Sequence, residues 1–247
     1  MAIDLDKMKA KLNKLQNKGN GDSVFWRPED GEQTIRIVPT PDGDPFKDFW
    51  FHYNVGNNSG FLSPKKNFGE DCPLDEFVKS LYSAGDPESI KMAKNLSARQ
   101  RFFAPVLVRG LDHEGVKIWG FGRTAYQELL QLVLNPDYGD ITDVGTGTDL
   151  VITYGKPAGA QFPQTTITPR RKTSPLVPDS DTVDSLLKSV PDFDNLFDRK
   201  TSEEVQSMLD NYLLGEEEST ATSVTTTSDS KGTDNTVERA FKELVAS

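Results

Sequence analysis

The stretch FFAPVLVRGLDHEGVKIWGFGRTAYQELLQLVL, residues 102–134, decides the fold. FFAPVLVRG is a run of aromatic and β-branched residues, LDHEG is a turn, and VKIWGFG is a second, alternating run, so the first half reads as a β-hairpin. RTAYQELLQLVL then changes period, with Leu129, Leu130, Val133 and Leu134 on one helical stripe, and predicts an amphipathic helix turned toward a core. Upstream, QTIRIVPT (33–40) and DFWFHYNV (48–55) read as strands separated by the turn-rich PDGDP. Downstream, DLVITYG and QTTITPR supply two more strands around the Gly-Pro loop 155–163. Residues 56–74, rich in Gly, Asn, Ser and Pro, read as a loop, and helical material is expected from Leu74 to Leu96 with a break near Gly85-Asp86-Pro87. Five or six short strands with one interposed helix predict a mainly β, α+β chain with an OB-fold-like, partly open barrel core and helical additions; a flattened sandwich is the competing architecture.

Charge divides the chain. The 247 residues carry a net charge of -10 and 35% hydrophobic residues, an ordinary globular composition. From Lys91 to Arg109, however, there are five cations and no carboxylate, and Arg99 and Arg101 lead directly into Phe102-Phe103. A second acid-free stretch, Leu150 to Pro178, carries Lys156 and the consecutive Arg170, Arg171 and Lys172. Between Asp179 and Glu218 the balance reverses to twelve carboxylates against three cations. Acidity in the C-terminal third leaves the middle free to present a basic face. Cations that follow phosphates, interleaved with rings that stack on bases, are the ingredients of a single-stranded nucleic-acid groove. The candidate contacts are Arg99, Arg101, Phe102, Phe103, Arg109, Arg123, Phe162, Arg170, Arg171 and Lys172. On a strand Phe102 and Phe103 face opposite ways, so at least one ring is expected in the core, while Arg99, Arg101 and Phe103 share a face.

Both ends have their own character. Residues 4–18 place Leu5, Met8, Leu12 and Leu15 at helical spacing among lysines, forming a basic N-terminal arm (1–19) that either packs on its own domain or docks onto a partner. SEEVQSMLDNYLL, 202–214, reads as a helix ending at Gly215, the limit of a core spanning 20–215. Residues 216–247 form an acidic tail: a low-complexity, disordered stretch to 233, then an apolar stripe of Val237, Phe241, Leu244 and Val245 behind the capping pair Asn235 and Glu238, read as a partner-binding helix.

Catalytic signatures are absent: there is no GxxxxGK[ST], HExxH or GxSxG, and GTGTD at 145–149 lacks dinucleotide-fingerprint spacing. His113 reads as a solvated turn residue. A non-enzymatic protein without a cofactor is expected. The lone Cys72 rules out an internal disulfide. No apolar run reaches the roughly 20 residues of a membrane span, and MAIDLDKMKAKL lacks a signal-peptide core, so a cytoplasmic protein without membrane contact is expected.

RQRFFAPVLVRG with KIWGFGRTAYQELLQLV, preceded by GEQTIRIVPTPDGDPFKDFWFHYNVG, resembles the single-stranded DNA-binding, helix-destabilising proteins of T-even-type bacteriophages over roughly residues 20–210. The resemblance implies an OB-fold core that coats single-stranded DNA in phage replication, recombination and repair within the host cytoplasm. It also implies self-association through the basic arm, here Lys7, Lys9, Lys11 and Lys14, and recruitment of phage replication and recombination proteins by the acidic tail. The alternative is an acidic adaptor that docks partners through its terminal helix without touching DNA. That family commonly holds zinc with one histidine and three cysteines. Here His52 and Cys72 fall at suitable places, with Asp75 where a third ligand would stand, so loss of the metal is expected.

Overall fold

The computed structural model describes residues 23–219 apart from Asn57 and Asp198; the N-terminal arm with its lysines and the tail beyond Ser219 lie outside the described residues. Its centre is β5, Arg99–Val108, the apolar run singled out above. Phe102, Ala104, Val106 and Val108 point into the main core, while Phe103 and Leu107 belong to two further clusters on the opposite face. A strand covered on both faces needs a continuous apolar run, and FFAPVLV supplies it.

Along one edge β5 pairs antiparallel with β6, Lys117–Phe121. Along the other it changes partner: residues 99–103 pair with β3, Lys47–Val55, and residues 106–108 with β2, Gly31–Ile37. Pro105, which has no N–H to give, falls at that handover. β2 continues the sheet to β7, Thr148–Gly155, and then to β8, Gln164–Thr173; β1, Phe25–Trp26, lies parallel to β6 at the other end. The eight-stranded sheet is open, running β1-β6-β5-β2-β7-β8 with β3 and β4 branching from β5. The fold is mixed α+β and OB-like, as the pattern predicts.

The stretch 56–74 departs from its reading as a loop. Asn58–Leu62 is β4, paired with β3, and Pro64–Phe68 is a short helix, α1, capped by the Ser63 hydroxyl on Lys66 N–H. Small polar residues hide this strand from propensity; its partner β3 makes it. Helices α2, Pro73–Ala84, and α3, Pro87–Leu96, follow the expected break, where Gly85 takes the left-handed conformation and the Asp86 carboxylate caps α3 by accepting from Glu88 and Ser89 N–H. α4, Arg123–Val133, buries Ala125 and Leu129. Val133 and Leu134 are exposed, against the expected stripe, because the buried phase of the helix passes through 125 and 129 with Tyr126 and Leu132 alongside. The C-terminal third holds α5, Val183–Lys188, and α6, Ser202–Ser219. α6 runs past Gly215, since an interior glycine costs about 1 kcal/mol against alanine and does not alone stop a helix.

Candidate nucleic-acid interface

The sheet sorts the predicted contacts into core, scaffold and surface. Phe102 stacks on Tyr126 with centroids 4.0 Å apart and planes at 15°, and is 5% exposed. Phe103, 2% exposed, sits among Phe25, Phe49, Phe51 and Phe197 at 5.1–6.4 Å. Both rings are therefore core, which corrects their reading as stacking platforms. The second face of β5, expected to be open, is covered by Phe193 and Phe197 from the acidic C-terminal third.

Arg109 is also reassigned. Its guanidinium grips the Asp149 carboxylate through Nε and Nη2 at 2.9–3.2 Å and donates to the carbonyls of Leu176 and Pro175. Arg36, fully buried, shares Asp149 and donates to Asp143 O and to Ser174. Burial pushes the Asp149 carboxyl up, but Arg109 and Arg36 outweigh it and hold it below the usual carboxylate range. A Cβ at Gly147 would meet Arg36 Nη1 at 2.6 Å and Asp143 O at 2.4 Å, so this clamp needs glycine there. Arg109 is a brace between β5, β7 and the segment after β8, its donors already spent.

The remaining cations lie on the surface and partly converge. Arg101 lines a groove of about 490 Å³ with Arg27, Trp119, Phe121, Tyr154 and Phe162. Phe162, on the β7–β8 loop, is 66% exposed and forms one wall. The opposite wall begins at the N-terminus of α4. Gly122 there supplies no side-chain cap, no acid stands in the first turn, and exposed Arg123 occupies the first helical position. Free N–H groups, the positive end of the helix dipole and a cation at one point form an anion-seeking arrangement.

Arg27 joins this groove to a second, of about 850 Å³, lined by Trp26, Lys117, Arg170 and Gln33 among others. Arg170 reaches Thr34 Oγ1 at 3.2 Å. Arg171 and Lys172 are exposed on β8, where the pairing between Thr148/Leu150 and Thr173/Pro169 is irregular, so the basic triplet bulges from the ladder. Arg99 is exposed and, with Arg101, acts on Tyr53: burial raises that phenol, and the two arginines oppose the rise. Arg101 and Phe162 thus line one groove and Arg170 its neighbour; Arg123 starts the helix whose Thr124 and Ala125 border the first groove but does not itself line it, and Arg171 and Lys172 lie exposed on β8. Arg27 and Tyr154 were missed; each is a single polar or aromatic residue with no local charge pattern to mark it.

An open OB-like sheet whose grooves bring the half-buried Arg27 and Arg101, the exposed Arg170, a helix N-terminus and an exposed ring together has the build of a nucleic-acid-binding protein of the single-strand class. The family comparison agrees: the model described as gp32 DNA binding protein like matches residues 29–212. The chain belongs to that family, which is one of single-stranded DNA-binding proteins and not of enzymes. No curated protein matches the chain. No helix among the described residues is long and apolar enough to cross a membrane.

Proposed function

We propose that this protein coats single-stranded DNA during phage replication, recombination and repair in the host cytoplasm, with the strand lying across the groove between α4 and the β7–β8 loop. The observation that carries the reading is the meeting of Arg27, Arg101 and the uncapped start of α4 with exposed Phe162. Phosphates sit against the first three and a base against the ring, a sequence-tolerant arrangement. From there the strand passes Arg27 toward Arg170, Arg171 and Lys172. The lysines Lys7, Lys9, Lys11 and Lys14 serve contact between neighbouring protomers, and residues 216–247 recruit replication and recombination proteins. Duplexes melt because the protein binds the single strand preferentially.

Titration of oligo(dT) into the full chain tests this, followed by tryptophan fluorescence, since Trp26 and Trp119 line the two grooves. Expected are quenching, a log affinity that falls linearly with log salt, and much weaker binding to duplex. Equal affinity for duplex, or no salt dependence, refutes the reading. Removing residues 1–18 should reduce cooperativity on long strands and spare short oligonucleotides; removing 216–247 should abolish partner capture and spare DNA binding.

A further inference from the structure

The buried polar cluster beside the helices calls for an explanation of its own. Four side chains from distant points meet there: His52 on β3, Ser63 at the start of α1, Cys72 at the cap of α2, and Asp75 in the first turn of α2. His52 Nδ1 donates to Leu96 O at the end of α3, at 2.8 Å. Its Nε2 faces Asp75 Oδ2 at 3.4 Å and Cys72 Sγ at 3.8 Å, and the Ser63 hydroxyl donates to the same Asp75 oxygen at 2.8 Å. Imidazole, thiol and carboxylate donors all lie within 4.8 Å of one another, close enough to share an ion. Donor chemistry therefore decides whether the zinc of the family resemblance fits.

It does not fit. A closed structural zinc site takes four donors, in these folds mostly thiolates. Here the chain has one cysteine, and the fourth group is a serine hydroxyl already occupied twice, giving its proton to Asp75 and accepting Lys66 N–H as the cap of α1. Three thiolates without their metal would repel one another, whereas an imidazole and a carboxylate attract. The cluster is also satisfied internally: the buried side-chain atoms without a partner, among the described residues, are on Gln33, Thr40 and Ser59, none of them here.

We infer that His52, Ser63, Cys72 and Asp75 form a metal-free polar clasp standing where relatives hold zinc, and that this clasp locks β3 to α1, α2 and α3. The helical subdomain keeps its attachment to the sheet under conditions that strip a zinc site.

Metal analysis and thermal melts of the full chain test the inference. The native protein should carry substoichiometric zinc and melt at the same temperature with or without a strong chelator. Asp75→Ala, which strands His52, should lower Tm by about 10 °C regardless of metal. Cys72→Ser, which sets a hydroxyl in the apolar cluster that the buried thiol joins, should lower Tm by less than Asp75→Ala does and by the same amount with or without chelator. The double variant Ser63→Cys/Asp75→Cys recreates three thiols around His52 and should acquire one zinc per chain and a chelator-sensitive Tm. One zinc per native chain with a chelator-sensitive Tm overturns the clasp, as does a Cys72→Ser variant that loses both metal and stability. Failure of a folded double variant to take zinc overturns the placement of the four positions around one centre; should it not fold, native metal content and Cys72→Ser decide.

Discussion

Replacing Arg27 and Arg101 together by alanine isolates the electrostatic part of the groove. Both line the same concavity beside the α4 N-terminus, and Arg27 borders the second groove as well. If each neutralises one phosphate, the double variant loses two contacts, and on a single strand each contact contributes about 0.7 to the slope of log affinity against log salt. The slope should therefore flatten by about 1.4. Over a four-fold rise in salt, the variant should lose about seven-fold less affinity than the intact protein. The weakening at low salt should be the same for dT, dA and mixed oligonucleotides, because phosphate contacts carry no base information. The assay is fluorescence titration at four or five salt concentrations, with a melt of each variant to show that the fold is retained. An unchanged slope in a folded double variant would refute the phosphate role and place the strand elsewhere on the sheet.

Phe162→Ala should cost about 1–3 kcal/mol of binding and leave the salt slope alone, since a stacked ring releases no counterions; an unchanged affinity in titration removes it from the site. Phe103→Ala should instead cost about 3–5 kcal/mol of folding stability in denaturant titration, because the ring is held by four others; normal stability would contradict its place in the core. His52 is buried, which lowers its pKa, but Asp75, Cys72 and the Leu96 carbonyl raise it further, to about 9. Its contribution to stability is thus complete below the ordinary histidine value near 6.5 and disappears as pH rises through about 9, a loss that Asp75→Ala should abolish in pH-dependent melts. Asp149 runs the other way: its depressed pKa stabilises the fold above about 4, and that contribution disappears as pH falls through the folded value, so Asp149→Ala should blunt acid unfolding.

The parts of the fold that were legible in the sequence are those with strong local periods. The hairpin read at 102–122 and the two strands read at 33–40 and 48–55 announce themselves through alternation or continuous apolar character, and Gly85-Asp86-Pro87 marks a helix break by turn chemistry alone. What stayed hidden depends on distant partners. β4 exists because β3 pairs with it, and nothing in NSGFL says so. Phe103 became core because Phe193 and Phe197, some ninety residues on, cover its face. Arg109 became a brace because Asp149 and two carbonyls lie across the sheet, whereas charge counting along the chain sees only a cation in an acid-free window. Local charge and aromatic pattern marked β5 and β8 but could not separate residues that brace the sheet from residues exposed on it.

An open sheet leaves unpaired rims, and a protein that lines up many copies on one strand brings such rims close together. Exposed strand edges are templates for adding another strand, the first step toward aggregation. Apart from the branch that ends in β4, one end of the sheet is β1, only two residues long and too short to recruit a neighbour. The other is β8, which carries Pro169 and bulges at Arg170, Arg171 and Lys172. A proline that cannot donate, an irregular ladder and three adjacent positive charges each discourage strand addition, and together they blunt that rim. The residues proposed to follow the DNA therefore also guard this rim, which in the proposed coating of a strand would keep neighbouring copies from pairing edge to edge.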